Sequence, residues 1–334
     1  MRGGVVGCGY WGPNLVRNFL GQESLTGTSC FDLDTRRVDT IVKTFPNVKP
    51  CRSYDELLDN SDFIAVATPV HTHYQLALQA LEAGKHVLVE KPMTLHSHES
   101  AKLRKLADSK DLVLMVDHTF IYTPAVQKMK ELLGNGQLGR ALYFDSVRVN
   151  LGLFQSDVNV IWDLAPHDLS ILLYLFDERP VALQAQGRDS FINGVHDLAY
   201  LTLFYADGFM ANLHLSWLSP TKVRKITVAG DKRMIVYDDM ESSEKVKVYD
   251  KGVERIDTEE LHNEVRVQYR IGDIYTPALK NEEALRKETA HFLDCIENGT
   301  SPMTDGVSGE WVVKILEAAN QSLKSGNRVE LDSE

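Results

Sequence analysis

The sequence predicts an α/β protein in two parts. Residues 1–119 read as a doubly wound parallel sheet, and residues 120–334 as an α+β domain with a large, mostly antiparallel sheet that has one open face. Three observations predict this. The 334 residues suit about two domains. The first third alternates short apolar strands with helices. Past about residue 120, apolar runs are joined instead by tight glycine turns.

The elements follow in order. Gly3–Gly7 reads as a strand and Asn14–Leu20 as a helix, with Pro13 near its first position. Thr28–Asp32 is a second strand and Arg36–Phe45 a second helix. Asp62–Ala67 is an apolar strand of the kind buried on both faces. Tyr74–Ala83 carries Leu76, Ala77, Ala80 and Leu81 on one stripe, and Gly84 stands where a left-handed cap is expected. His86–Val89, a helix at Ser97–Ala107 and a strand at Leu112–Val116 complete the alternation. The boundary is expected at 119–123. After a helix at Ala125–Leu133, strands at Asp197–Tyr205 and Phe209–Ser216 flank Asp207-Gly208, a hairpin signal. Ile226–Ala229 and Arg233–Tyr237 flank a second turn at Gly230-Asp231. Helices at Glu282–Ile296, stopped by Gly299, and Gly309–Ser322 close the chain.

Composition excludes several classes. With 43% hydrophobic and 25% charged residues, disorder and coiled coil are poor descriptions. The net charge of −11 argues against nucleic acid and anionic membranes as partners. The excess lies late: residues 1–119 hold 13 basic and 14 acidic side chains, and Asp238–Glu260 alone holds 9 acidic against 4 basic. That segment reads as sheet edge or loop, away from any motif. No window reaches the about 18 apolar residues of a membrane span, and the N-terminal apolar run is too short for a signal-peptide core. Cys8, Cys30, Cys51 and Cys295 are scattered without a C-x-x-C pair, so no metal site is expected. They read as reduced thiols of a cytoplasmic protein.

Residues 7–12 are G-C-G-Y-W-G, between a predicted strand and a predicted helix. In such a loop Gly7 allows the tight turn, Gly9 lets backbone approach a pyrophosphate, and Gly12 allows close helix–sheet packing. Tyr10 and Trp11 lie in the same loop. Asp32 ends the second strand, 20 positions after Gly12, where a carboxylate binds the adenosine ribose hydroxyls. The expected cofactor is therefore NAD. NADP is less favoured, because Asp32 repels a 2′-phosphate, although Arg36 and Arg37 soften that repulsion unless both are simply exposed helix residues.

Ligands of open α/β sheets sit beyond the carboxyl ends of the strands. Thr68-Pro69, with His71 and His73, falls at one such end, and Glu90-Lys91-Pro92 at the next. The histidines are expected to line the cofactor site or cap the following helix. A Lys-Pro step keeps Lys91 extended, so its side chain can project into the cleft. Together, G-C-G-Y-W-G at 7–12, A-T-P-V-H-T-H-Y at 67–74 and A-G-K-H-V-L-V-E-K-P at 83–92 resemble the glucose–fructose oxidoreductase / inositol dehydrogenase (Gfo/Idh/MocA) family. The resemblance implies a Rossmann domain followed by a substrate domain. It also implies that Lys91 lies beside the nicotinamide, frequently with a cis bond to Pro92.

Residues 161–176 read I-W-D-L-A-P-H-D-L-S-I-L-L-Y-L-F. Asp163 and His167 are i, i+4 and share a helical face. Pro166 is tolerated in a first turn, so the helix is expected to start near Asp163. The resemblance extends to this D-x-x-x-H, implying His167 as proton acceptor and Asp163 as substrate ligand. An N-cap role for Asp163 and a structural role for His167 are the alternatives, and Asp168 is expected to face away. Tyr122, Arg148 and Asn150 are further candidate substrate contacts, against packing for Tyr122 and plain sheet surface for the other two.

The wording W-D-L-A-P-H-D-L-S looks most like the branch acting on nucleotide-linked sugars, often at C3. The implied activity is NAD(P)-dependent interconversion of a secondary alcohol and a ketone on such a sugar. A free aldose or polyol dehydrogenase, an NAD-dependent glycosidase and a non-catalytic NAD(P)-binding regulator are the competing functions. Mixed apolar positions on Leu198–Tyr205 and Met210–Leu215 suggest a homodimer or homotetramer through the open sheet face.

Overall fold

A computed structural model of the chain describes residues 1–152, 154, 158–256 and 266–332. In chain order the elements of its first third are β1 (Arg2–Val6), α1 (Gly12–Leu20), β2 (Gly27–Phe31), α2 (Thr35–Thr44), β3 (Val48–Pro50), α3 (Tyr54–Asp59), β4 (Phe63–Val66), α4 (His73–Glu82), β5 (His86–Glu90), α5 (Ser97–Ser109) and β6 (Leu114–Asp117). Then come α6 (Pro124–Gly134), β7 (Ala141–Leu151), α7 (Val160–Leu175), β8 (Ala182–Arg188), β9 (Leu198–Phe204), β10 (Met210–Ser216), β11 (Leu218–Gly230), β12 (Met234–Asp238), β13 (Val246–Ile256), β14 (Arg266–Tyr275), α8 (Ala284–Asn298), α9 (Gly306–Ser325) and β15 (Val329–Glu330).

The chain divides into two compact units: Met1–Thr123 with Glu282–Glu317, and Pro124–Asn281 with Ala318–Glu334. The first holds a six-stranded sheet of order β3-β2-β1-β4-β5-β6, parallel throughout. The apolar run 63–66 is completely buried, as its lack of polar alternation requires. Burial of each large apolar side chain there contributes about 1.5–3 kcal/mol. Helix α4 ends at Gly84, whose φ of +72° is the left-handed conformation expected of it.

Residues 282–317 belong with this first unit rather than with the residues preceding them, where the sequence reading put them. The reason is packing. Phe292 of α8 meets Phe63 edge-on at 5.2 Å, and Phe63 in turn meets Phe19 of α1 at 4.9 Å. Gln22 donates to Thr289 at 2.9 Å, and Arg17 pairs with Glu283 beside them.

The second unit holds a nine-stranded sheet of order β14-β13-β12-β11-β7-β10-β9-β8-β15. All of its pairings are antiparallel except β7 with β10. Both expected hairpins form: Met210 pairs with Phe204 across Asp207-Gly208, and Met234 pairs with Ala229 across Gly230-Asp231. Strand β11 runs longer than Ile226–Ala229, because its pairing with β7, a partner distant in sequence, extends back to Val223 and, past an irregularity, to Leu218. The apolar bulk of α7 lies against β7, β9 and β10. The other face of β9 and β10 exposes Tyr200, stacked on His214 at 4.5 Å, and a Thr202–Asn212–Asp145 hydrogen-bond ladder. The acidic stretch 238–260 lies in part on β12 and β13, and between them Asp239 takes Lys245 and Arg224 as partners; its residues 257–260 lie outside the described residues.

Candidate active site

A cleft of about 980 Å³ opens at the carboxyl ends of β1, β2, β4 and β5 in the first unit. The glycine loop forms one wall. Gly7 has φ +96°, and a Cβ on Gly12 would stand 1.9 Å from the Gly7 carbonyl oxygen, so the fold itself demands both glycines. Gly9 differs. A Cβ there would meet only Arg37 Nη1, at 3.5 Å, which is ordinary contact. Packing gives no reason for a glycine at position 9, whereas close approach of a ligand to the backbone does.

At one end of the cleft, Asp32 Oδ2 accepts from Cys8 N at 2.7 Å and Oδ1 from Asp34 N at 2.8 Å. These bonds fix the carboxylate and leave each oxygen a lone pair for a ribose hydroxyl. Arg37 Nη1 lies 3.8 Å from Asp32 and lines the cleft. Arg36 instead turns outward to Asp34, at 3.0 Å. Tyr10 and Leu33 are 93% and 92% exposed over the same cleft. Large side chains left bare on a cleft wall fit a planar base or ring better than they fit water. The residues present therefore fit a dinucleotide.

Thr68, Pro69 and His71 line the middle, and Thr68 Oγ1 accepts from Thr72 Oγ1 at 2.7 Å. His73 is buried, with Nδ1 3.0 Å from Pro92 O and Nε2 2.8 Å from Thr68 O. A neutral ring donates to one of these carbonyls and lies against the other, and so spans the loops that follow β4 and β5. Burial pulls its pKa down.

The far end is built by Glu90, Lys91, Trp11 and Asp117. The Lys91–Pro92 bond is cis. Trp11 Nε1 donates to Asp117 Oδ2 and Thr119 Oγ1 to Asp117 Oδ1, each at 2.5 Å. Glu90 Oε2 is shielded from solvent with no hydrogen-bond partner, and burial, with Asp117 adding, pushes its carboxyl up to about 8 against the opposing charge of Lys91. Sequence reasoning missed Asp117 and Glu288. Each left a signal: Asp117 ends the strand beside Glu90, and Glu288 is the one acid on the buried stripe Leu285, Glu288, Phe292, Cys295 of α8.

In the second unit α7 begins one turn earlier than expected. Asn159, not Asp163, is its cap, accepting from Ile161 N at 3.1 Å and Trp162 N at 3.2 Å. Pro166 therefore lies inside the helix. Asp163 is half-buried and accepts from Trp217 Nε1 at 2.9 Å, so its carboxylate is oriented by a residue the sequence did not flag. His167 follows one turn on, also half-buried.

Two candidate substrate contacts are corrected. Tyr122 is fully buried; its hydroxyl lies 3.4 Å from Thr304 Oγ1 and its ring against His291, so it is core. Arg148 forms a forked ion pair with Asp168, at 3.0 and 2.7 Å, in the interior beneath α7. Its guanidinium is committed there and does not reach for a sugar or phosphate. Asn150 lies two residues on along β7 and is half-buried.

A family model described as an oxidoreductase family with an NAD-binding Rossmann fold matches residues 1–118, and the GFO/IDH/MocA C-terminal domain model matches residues 126–236. The chain belongs to the GFO/IDH/MocA oxidoreductase family. Its first unit is accordingly an NAD-binding Rossmann domain. This GFO/IDH/MocA chain is 28% identical over 327 residues to a UDP-N-acetylglucosamine 3-dehydrogenase of Acidithiobacillus ferrooxidans, covering 96% of each. A solved structure of that enzyme superposes with a TM-score of 0.81 at 26% identity, covering 97% of this chain and 98% of the other. A D-apiose dehydrogenase of Paraburkholderia graminis is 23% identical, covering 99% of this chain and 90% of its own. GenD2 from gentamicin A biosynthesis, solved in complex with NAD, shares the fold with a TM-score of 0.83 at 22% identity, covering 100% and 97%. Among the described residues no helix is long and apolar enough to cross a membrane.

Proposed function

We propose that this oxidoreductase interconverts a secondary alcohol and a ketone on a sugar, and that the sugar is nucleotide-linked and reacts at C3. The observation that supports this best is the likeness to a UDP-N-acetylglucosamine 3-dehydrogenase over 96% of both chains, joined to a cleft whose far end carries Lys91. The cofactor-binding residues are Gly7, Gly9, Tyr10, Trp11, Gly12, Asp32, Arg37, Thr68, Pro69, His71, Glu90 and Lys91, with His73 bracing the loops. NAD supplies the hydride acceptor at its nicotinamide.

The protein's own part is orientation, proton transfer and electrostatics. Lys91 donates a hydrogen bond to the reacting oxygen and stabilises developing negative charge on it. His167 accepts the hydroxyl proton; an imidazole suits that task because its ordinary pKa lies near neutrality. Asp163, held by the Trp217 indole, accepts from a neighbouring sugar hydroxyl.

Purified protein given NAD and UDP-N-acetylglucosamine is expected to produce net NADH, and free aldoses much less. Lys91→Ala and His167→Ala are each expected to lower turnover by about 10²-fold or more while NAD binding survives. Turnover in either variant above about a tenth of wild type would refute that residue's role. The protein is also proposed to assemble into a homodimer or homotetramer through the open face carrying Tyr200 and His214. Light scattering that returns the 37.6 kDa of one chain would rule this out.

A further inference from the structure

Three carboxyl groups stand at the Lys91 end of the cleft. Glu90 and Asp117 are register partners on β5 and β6, and Glu288 faces Asp117 and Thr119 from α8. Asp117 accepts from Trp11 and Thr119, and Glu90 from the Lys91 backbone. Neither oxygen of Glu288, nor Glu90 Oε2, nor either ring nitrogen of His118 has a hydrogen-bond partner, and each of these atoms is shut off from solvent. Neighbouring carboxylates in a dry site cannot all ionise. Burial raises all three carboxyls, Asp117 against its bonds to Thr119 and Trp11, so the negative charge is best placed on Asp117 and the protons on the other two.

The surrounding groups agree with this. Burial, reinforced by Asp117, pushes Glu288 well above the carboxylate range. Burial and the nearby Lys91 pull His118 down to about 3, so it is neutral. His73, on the neighbouring loop, is pulled down by burial and, when neutral, donates to one of the two carbonyls beside it. Lys91 lines the cleft beside them. Glu90 differs from Glu288 in one respect: it is half-buried and lines the cleft.

Asp32 marks the adenosine end of the cleft, so the nicotinamide goes to the end where Glu90 and Lys91 lie. The oxidised ring carries a positive charge and the reduced ring does not. A second positive charge beside Lys91, away from water, is unfavourable unless a neighbouring group becomes negative. We propose that Glu90 compensates the charge of the cofactor: its carboxyl releases a proton to solvent when the oxidised dinucleotide binds and keeps that proton when the reduced one binds. Asp117 already carries its charge, and Glu288 is walled off from the cleft, which leaves Glu90 as the group able to respond.

This rests on the cofactor-binding reading of the cleft. Its test uses no sugar, so its failure leaves the substrate reading intact. Titration calorimetry with NAD and NADH, in two buffers of different ionisation heat at pH 7, reads the protons exchanged. Wild type is expected to release nearly one proton per NAD and almost none per NADH. Its NAD dissociation constant is expected to fall roughly tenfold per pH unit up to about pH 8 and then level off, because binding is linked to one ionisation. Glu90→Gln, the neutral isostere, is expected to lose both the released proton and the slope, and Glu288→Gln to keep them. Equal proton release with NAD and NADH in the wild type would overturn the proposal without recourse to any variant. So would undiminished release in Glu90→Gln.

Discussion

Arg148 and Asp168 in the second unit, and Glu90, Asp117 and Glu288 in the first, are both buried clusters of charged side chains next to a helix. They are built on opposite principles. The Arg148 guanidinium and the Asp168 carboxylate meet through two hydrogen bonds, with opposite charges cancelled. The three carboxyls share a single side of the charge scale and leave five polar atoms among them without a hydrogen-bond partner: Glu90 Oε2, both oxygens of Glu288 and both ring nitrogens of His118. A satisfied pair can be asked only to hold β7 against α7. An unsatisfied cluster at the end of a ligand cleft stores protonation states that a bound charge can shift.

That contrast can be broken most sharply at Asp168. Asp168→Ala leaves Arg148 charged and buried without its carboxylate, and is expected to lower unfolding free energy in urea by about 3–5 kcal/mol. A loss below about 1 kcal/mol would show that the pair is not structural. Arg148→Lys keeps the charge but loses the fork, so a smaller loss of about 1.5–3 kcal/mol is expected from the same unfolding curves.

Glu288 should behave in the opposite sense. Its folded-state pKa is raised, so the native state binds the extra proton and stability falls as pH rises above the ordinary carboxylate range. Glu288→Gln removes that loss. Its melting temperature is expected to exceed wild type at pH 8 and to match it near pH 5. A variant less stable than wild type at pH 8 would mean that Glu288 is ionised and paired in the native protein.

The two units also differed in how far their residues could be read from the sequence. In the first, short-range rules decide the alternation of strands and helices and the glycine loop. The 63–66 run is buried because it has no polar alternation, Gly84 is left-handed because the helix must stop, and Gly7 and Gly12 are required by the loop itself. In the second, partners are distant. Arg148 reads from the sequence as a substrate contact or a plain sheet-surface residue, since nothing near it in sequence announces Asp168, 20 positions on and aimed back at it. Asp163 and His167 were visible by spacing. Nothing local favours Asn159 as the cap, because Pro166 points to a later start for α7. Trp217, which orients Asp163, lies 54 residues away and carries no local signal at all.

The sequence by itself determined the alternation of the first unit, the glycine loop with Asp32, the strand-end placement of Glu90 and Lys91, and the pairing of Asp163 with His167 on one helical face. Those depend on backbone conformation, hydrophobic period and strand-end geometry, all of which act over a few residues. Only the tertiary structure decided which polar groups find partners. Tyr122 went to the core, Arg148 to Asp168, and residues 282–317 to the first unit, where α8 brings Glu288 up behind Asp117. Hydrogen-bond satisfaction and burial are properties of the three-dimensional neighbourhood, and it is these that separate an internal ion pair from a carboxyl free to exchange its proton.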